Sequence, residues 1–166
     1  MPNNVTRLLD SRKVPYQAFE LSKEKHSALE TAHLLGVPPE IVFKTIVVVR
    51  EKAGKPVLVV VPGPDEVDLK AVAAFIGEKK MRLPTQKDAE HLTGLQAGGI
   101  SPLALIHKGF QVILDRSALS LEQVHISGGQ LGLNIRLPVS ALIEITSARV
   151  AAISSPASSS GAGKSI

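Results

Sequence analysis

The sequence predicts a mixed α/β domain, and three observations carry that prediction. Two nearly continuous apolar runs, "TIVVV" and "PVLVVVP", flank a polar "REKAGK" and read as neighbouring strands buried on both faces. Several short stretches open on Ser, Thr or Asp and close on Gly, the punctuation of short helices. From Leu95 onward the texture changes to glycine-rich turns and short strands. The sheet is expected to be largely antiparallel or mixed.

Taken in order, Val5, Leu8 and Leu9 form one stripe of a helix over residues 4–11. A strand "YQAFEL" follows Pro15. Ser27 stands three residues before Glu30, a capping box that opens "ALETAHLL", and Gly36 closes it. Pro38 and Pro39 suit the first turn of a short helix "PPEIVF", which delivers Lys44 to the start of a strand. Gly54 turns the polar hairpin between the two apolar strands. Asp68 caps "LKAVAAFI" ahead of Gly77, and Thr85 caps "QKDAEHL" ahead of Gly94. The intervening "EKKMRL" is basic and reads as exposed. "GLQAGGISPLAL", "QVILD", "VHISGGQLG" and "LNIRL" supply the later turns and strands. A helix "VSALIEI" after Pro138 and a last strand "RVAAI" close the domain.

One domain is expected over residues 1–153, followed by a disordered Ser/Gly/Ala tail over 154–166 that is too poor in apolar residues to join a core. The tail's "GAGKS" is not a P-loop, because the leading glycine of that motif is replaced by Ser158. The chain has 166 residues and no cysteine, which excludes disulfides, thiolate zinc sites and a cysteine nucleophile. A net charge of +4 fits an anionic partner, and the scarcity of aromatics, Tyr16 and four Phe, argues against serial stacking of bases. Neither a secretory leader nor a membrane-length apolar run is visible, so a cytoplasmic location without membrane contact is expected.

Motifs for zinc proteases, serine hydrolases and dinucleotide binding are absent, and the five histidines share no metal-ligand spacing. His125 alternates with Val124 and Ile126 on a strand, which leaves it either half-exposed on a sheet or turned to a cleft. In "FKTIVVVR", Lys44 is either a solvated strand entrance or part of a site, since an ammonium is costly to bury without a partner. "AGGISP" and "SGGQLG" are either tight turns or loops that present amide donors to an oxygen. Lys79, Lys80 and Arg82, with Lys52 and Lys55, form either a weak phosphate-facing patch or ordinary solvated surface.

In this order and spacing, "VFKTIVV", "DLKAVAAFIG", "LTGLQAGGISPL", "VILD" and "ISGGQLGLNIRL" resemble the YbaK family. That family is the free-standing branch of the aminoacyl-tRNA editing domains, which also occur inserted in bacterial prolyl-tRNA synthetases. The resemblance spans about residues 3–153. It implies a single compact domain with a mixed, barrel-like sheet surrounded by helices, and no metal or organic cofactor. The implied activity is hydrolysis of an amino acid, cysteine above all, esterified to tRNA for proline. Aminoacyl-tRNA is then the partner, and prolyl-tRNA synthetase the enzyme that hands it over.

By the same resemblance the catalytic set is Lys44 with Gly98, Gly99, Ile100 and Ser101, and the substrate-binding set is His26, Thr45, Ser127, Gly128, Gly129 and Asn134. Some relatives carry aspartate where this chain has Asn134, so no role for a carboxylate transfers there. An aminoacyl ester is already activated, and the site must mainly orient it and polarise its carbonyl. The expected division of labour gives the 98–101 amides the developing oxyanion, while protonated Lys44 positions the terminal adenosine or its phosphate. A module that binds without turnover, and a hydrolase of other esters or amides, are the alternatives.

Overall fold

The two apolar runs build the centre of the fold. In the computed structural model, which describes residues 3–157, β2 (Phe43–Arg50) and β3 (Val57–Pro62) pair antiparallel, with Phe43 opposite Pro62 and Val48 opposite Val57. Every residue of β3 is buried, as an apolar run without alternation requires. β3 then pairs in parallel with β6 (Gln111–Asp115), and β6 in parallel with β9 (Arg149–Ala151). With β5 (Met81–Arg82) on the outer edge of β2, the five-stranded sheet runs β5-β2-β3-β6-β9. A second, antiparallel sheet runs β1-β8-β7, from β1 (Gln17–Glu20), β8 (Leu133–Pro138) and β7 (Gln123–Ser127). A two-stranded ribbon joins β4 (Asp65–Val67) to β10 (Ser154–Pro156).

The large sheet separates two cores. On one face Val57, Val59 and Val61 meet Val72 and Ala73 of α3 (Leu69–Ile76). On the other, Leu58 and Val60 meet Val124, Ile126, Ile135 and Leu137 of the small sheet and Leu142 of α5 (Val139–Thr146). These side chains are 1% exposed or less, apart from Ala73 at 4%.

The expected helices α2 (Ala28–Leu35), α3 and α4 (Gln86–Thr93) lie where their caps place them. The Ser27 hydroxyl accepts from the Glu30 amide at 3.0 Å, and the Glu30 carboxylate accepts from the Ser27 amide at 2.8 Å. Asp68 and Thr85 cap α3 and α4 by accepting from the Ala71 and Asp88 amides, without the reciprocal bond, and Gly36, Gly77 and Gly94 end the three helices in left-handed geometry. α1 (Asn4–Ser11) has its own capping box between Asn3 and Thr6.

Four expectations need correction. No sheet closes into a barrel: the only pairing between the two main sheets, among the described residues, is a single parallel bridge from Val42 to His125. Beyond that bridge the edge of β2 leaves the small sheet. "EKKMRL" is not simply exposed, because Met81 is 3% exposed and pairs with Arg50. Leu103–Lys108, at the end of a stretch expected to hold only turns and short strands, is a 3-10 helix. Residues 154–156, assigned above to the tail, form β10; the adjoining Ile153 is fully buried, and its amide donates to the buried carboxylate of Asp115 at 3.0 Å. The rest of the expected tail, 158–166, lies outside the described residues.

Candidate active site

Where β2 diverges from the small sheet, the fold leaves a pocket of about 480 Å³. Its floor is Val42 and the Phe43–Val47 stretch of β2, and its walls are the 24–31 segment, residues 83–86 at the start of α4, the 97–100 loop and the ends of β7 and β8. Leu29 and Leu83, half exposed at 51% and 52%, belong to this lining and give it an apolar margin.

Lys44 lines the pocket in a half-buried position, and its Nζ donates to the Gly63 carbonyl at 3.0 Å. Burial pulls its pKa below the ordinary lysine value, while Asp65 and Glu66 pull in the opposite direction. One ammonium hydrogen is committed to Gly63, which leaves two for a ligand. Gly63 itself was not singled out from the sequence, although "PGP" after a buried strand marks a turn there. A Cβ at this position would stand 2.7 Å from Ala28 Cβ and 3.0 Å from the Val42 carbonyl oxygen, so only glycine brings this carbonyl to Lys44 without a shift.

Of the 98–101 loop, Gly98 and Ile100 line the pocket. Gly99 and Ser101 do not. The Gly99 amide donates to the Gln96 carbonyl at 2.8 Å, and the fully buried Ser101 hydroxyl accepts from the Leu103 amide at 3.2 Å. The amides of Gly98 and Ile100 meet no acceptor among the described residues. Gly99 has a packing reason as well: a Cβ there would lie 3.0 Å from the backbone of Gln130. The two glycine loops thus pack against each other.

Ser127 lines the pocket, and its hydroxyl accepts from the Gly129 amide at 3.2 Å. Gly128 and Gly129 are outside the lining; the Gly128 carbonyl accepts from the Asn3 side chain at 2.8 Å, and Gly129 packs on Val5 and Ala104. Asn134 is in the lining at 6% exposure, with its Oδ1 2.8 Å from Nδ1 of His125. His125 is neither half-exposed nor in the cleft. At 1% exposure it lies behind Asn134 with its ring 5.6 Å from that of Phe19, and burial lowers its pKa, favouring the neutral imidazole. Its Nε2 and the Oγ1 of Thr45 are buried without a partner. Thr45 also lines the pocket.

His26 reaches the lining from the 24–31 segment, with Nε2 3.2 Å from the Ser22 hydroxyl and 3.1 Å from the Ser22 carbonyl. Beside it Lys25, which sequence reasoning passed over, donates from Nζ to the Gln86 side chain at 2.7 Å and ties two walls together. An isolated lysine in a loop carries no spacing signal that could have found it. Lys52, Lys55, Lys79, Lys80 and Arg82 are all outside the pocket; Lys55 donates to the Lys108 carbonyl at 2.8 Å, and Lys80 stands 3.9 Å from Glu51. Among the described residues no group of three or more His, Cys, Asp or Glu could hold a metal ion, and no helix is long and apolar enough to cross a membrane.

The arrangement suits an activated acyl group: the Lys44 ammonium, the backbone of Gly98 and Ile100 and the side-chain amide of Asn134 line a space of about 480 Å³. Comparison with known proteins points the same way. The family model "Aminoacyl-tRNA editing domain" matches residues 22–145. The chain is 36% identical over 152 residues, 90% of its own length and 92% of the relative's, to the "Putative Cys-tRNA(Pro)/Cys-tRNA(Cys) deacylase EbsC" of Enterococcus faecalis. Among solved structures, a hypothetical protein superposes with a TM-score of 0.84 at 28% identity, over 92% of this chain and all of that one. A "putative trans-editing enzyme for prolyl tRNA synthetase" superposes with a TM-score of 0.77 at 25% identity, over 93% of this chain and 99% of that one. The chain belongs to the aminoacyl-tRNA editing domain family, in its YbaK/EbsC branch, which is related to the editing domain of prolyl-tRNA synthetase.

Proposed function

We propose that this protein is a trans-editing hydrolase that removes a mischarged amino acid, cysteine first, from tRNA for proline. The observation that carries the reading is Lys44, a half-buried ammonium in a pocket that also receives Gly98, Ile100, Ser127 and Asn134. Similarity to the Enterococcus protein, a putative Cys-tRNA(Pro)/Cys-tRNA(Cys) deacylase, supports the choice of amino acid and tRNA.

In this reading Lys44 holds the terminal ribose or its phosphate and adds positive potential. The amides of Gly98 and Ile100 stabilise the oxyanion that develops at the ester carbonyl. Water, or the substrate's own thiol when the amino acid is cysteine, attacks that carbonyl carbon; the bond to the ribose oxygen breaks, and the oxygen leaves as a hydroxyl. Ser127, Thr45 and His26 shape the acyl side of the pocket, and Asn134 offers its amide group. Gly99, Ser101, Gly128 and Gly129 hold the two loops in place. Prolyl-tRNA synthetase is the source of the charged tRNA, and its translation role assigns the protein to the cytoplasm.

The test is deacylation of tRNA for proline charged with Cys, Ala, Ser or Pro, comparing wild type with Lys44→Ala. Release of Cys faster than Pro supports the reading; no release from any of them rejects it. One observation favours a second reading, capture without turnover: Asn134 is bonded to a buried neutral imidazole and supplies no carboxylate. Under that reading the protein binds charged tRNA but does not release the amino acid, and Asn134→Asp gains release.

A further inference from the structure

The pocket-facing edge of β2 is an open strand edge. β5 covers only Val49 and Arg50, and the bridge to His125 covers only Val42, so among the described residues no ladder pairs this edge from Phe43 to Val47. All five of these residues line the pocket. Which peptide groups face it follows from the register. The Gly63 amide donates to the Val42 carbonyl at 2.8 Å, which marks Val42 and Gly63 as a hydrogen-bonded pair. Antiparallel alternation then makes Lys44 with Val61, and Ile46 with Val59, the next bonded pairs. The N–H and C=O groups of Phe43, Thr45 and Val47 point away from β3. Phe43 is next to the bridge and Val47 next to β5, which leaves Thr45 in the middle of the gap. The Thr45 hydroxyl, buried and unpartnered, adds a third unused polar group at the same residue.

We infer that Thr45 recognises the aminoacyl group as if it were one residue of an added strand, an inference that rests on the editing reading. An aminoacyl ester carries the same N–Cα–C=O unit as a strand residue, and a bonded antiparallel pair exchanges two hydrogen bonds through that unit. The Thr45 carbonyl accepts from the substrate's α-ammonium. Its N–H donates to the ester carbonyl oxygen, adding a donor to those of Gly98 and Ile100. A charged donor makes the first bond the stronger. Lys44 is kept off the ammonium by its own bond to Gly63 and by the alternation of side chains along the strand. The ligand class is therefore an acyl group with a free α-amino function. Formyl-, acetyl- and peptidyl-tRNA are excluded, because an acylated nitrogen loses the charge and brings bulk against the strand.

The direct test uses an amide-linked, non-hydrolysable 3′-cysteinylamino-adenosine and its N-acetyl derivative, with binding measured by calorimetry. The free amine should bind about 10- to 100-fold more tightly. Equal affinity, or no binding of either, overturns the inference. If charged tRNA is not deacylated while the two analogues still differ, the editing reading fails and this one stands. If deacylation is normal but N-acetyl-cysteinyl-tRNA is cleaved as fast as cysteinyl-tRNA, the reverse holds. A protein-side test uses the register itself. Proline at an unpaired strand position removes no ladder bond. Thr45→Pro should melt closer to wild type than Ile46→Pro, and should bind the free amine more weakly, because it loses the N–H that meets the acyl carbonyl while keeping the carbonyl that meets the ammonium. If Thr45→Pro unfolds as readily as Ile46→Pro, the Thr45 amide does not face the pocket and the inference falls.

Discussion

Replacing Lys44 by methionine keeps the unbranched stem of the side chain and removes its charged end. An ammonium about 4 Å from a developing anion contributes ~4 kcal/mol at an effective dielectric near 20. Lys44 is half-buried and shares its charge with the Gly63 carbonyl, so solvent screening and that prior bond reduce the figure to about 3 kcal/mol. The corresponding loss in kcat/KM is about 100-fold. Stability should move the other way or stay level. The ammonium is held partly desolvated in the free protein, and methionine has no such penalty. Single-turnover deacylation of Cys-tRNA for proline, run beside a thermal melt, separates the two effects. A variant that melts normally and retains more than about a third of wild-type kcat/KM refutes the role given to Lys44.

Two other predictions concern residues packed behind the site. His125 is buried, and its folded pKa is below that of the unfolded chain. As pH falls through about 6.5 the unfolded state takes up a proton that the folded state refuses, so stability falls with acidification. Urea midpoints between pH 7 and pH 5 should drop more steeply in wild type than in His125→Gln; parallel slopes contradict this. In Gly99→Ala, the new Cβ would meet backbone atoms of Gln130 at 3.0 Å, so one of the two loops must shift. The expected cost is about 1–3 kcal/mol, read as a lower urea midpoint at unchanged m-value, together with slower deacylation because Gly98 and Ile100 move.

Much of the local structure is written locally. Ser27, Asp68 and Thr85 announce three helices because a cap acts on its own first turn, and Gly36, Gly77 and Gly94 end them for an equally local reason. The short strands β4, β5 and β10 are not legible, because "DEV", "MR" and "SSP" pair through backbone groups with segments far along the chain. Ile153, buried beside Asp115, draws the first tail residues into the fold, an effect that composition cannot show. Barrel closure depends on how two distant edges meet, and among the described residues they pair only at Val42 and His125.

The site divides along the same line. Lys44 is legible as a cation that a buried strand has no reason to carry, yet its partner Gly63 comes from the far end of the neighbouring strand. The family pattern brings together Lys44, Thr45, Ile100, Ser127 and Asn134 by motif, and the pocket contains all of them. It does not distinguish the loop residues that face the pocket from Gly99, Ser101, Gly128 and Gly129, which hold the loops. Alternation along a strand placed His125 at a cleft or in solvent; its burial behind Asn134 depends on Phe19 from another strand.

The most direct measurement is the rate at which excess purified protein releases the amino acid from Cys-tRNA for proline and from Pro-tRNA for proline in one turnover. The account predicts rapid loss of cysteine and a prolyl ester that survives near its spontaneous rate. Cysteinyl ester that remains intact under saturating protein would contradict it.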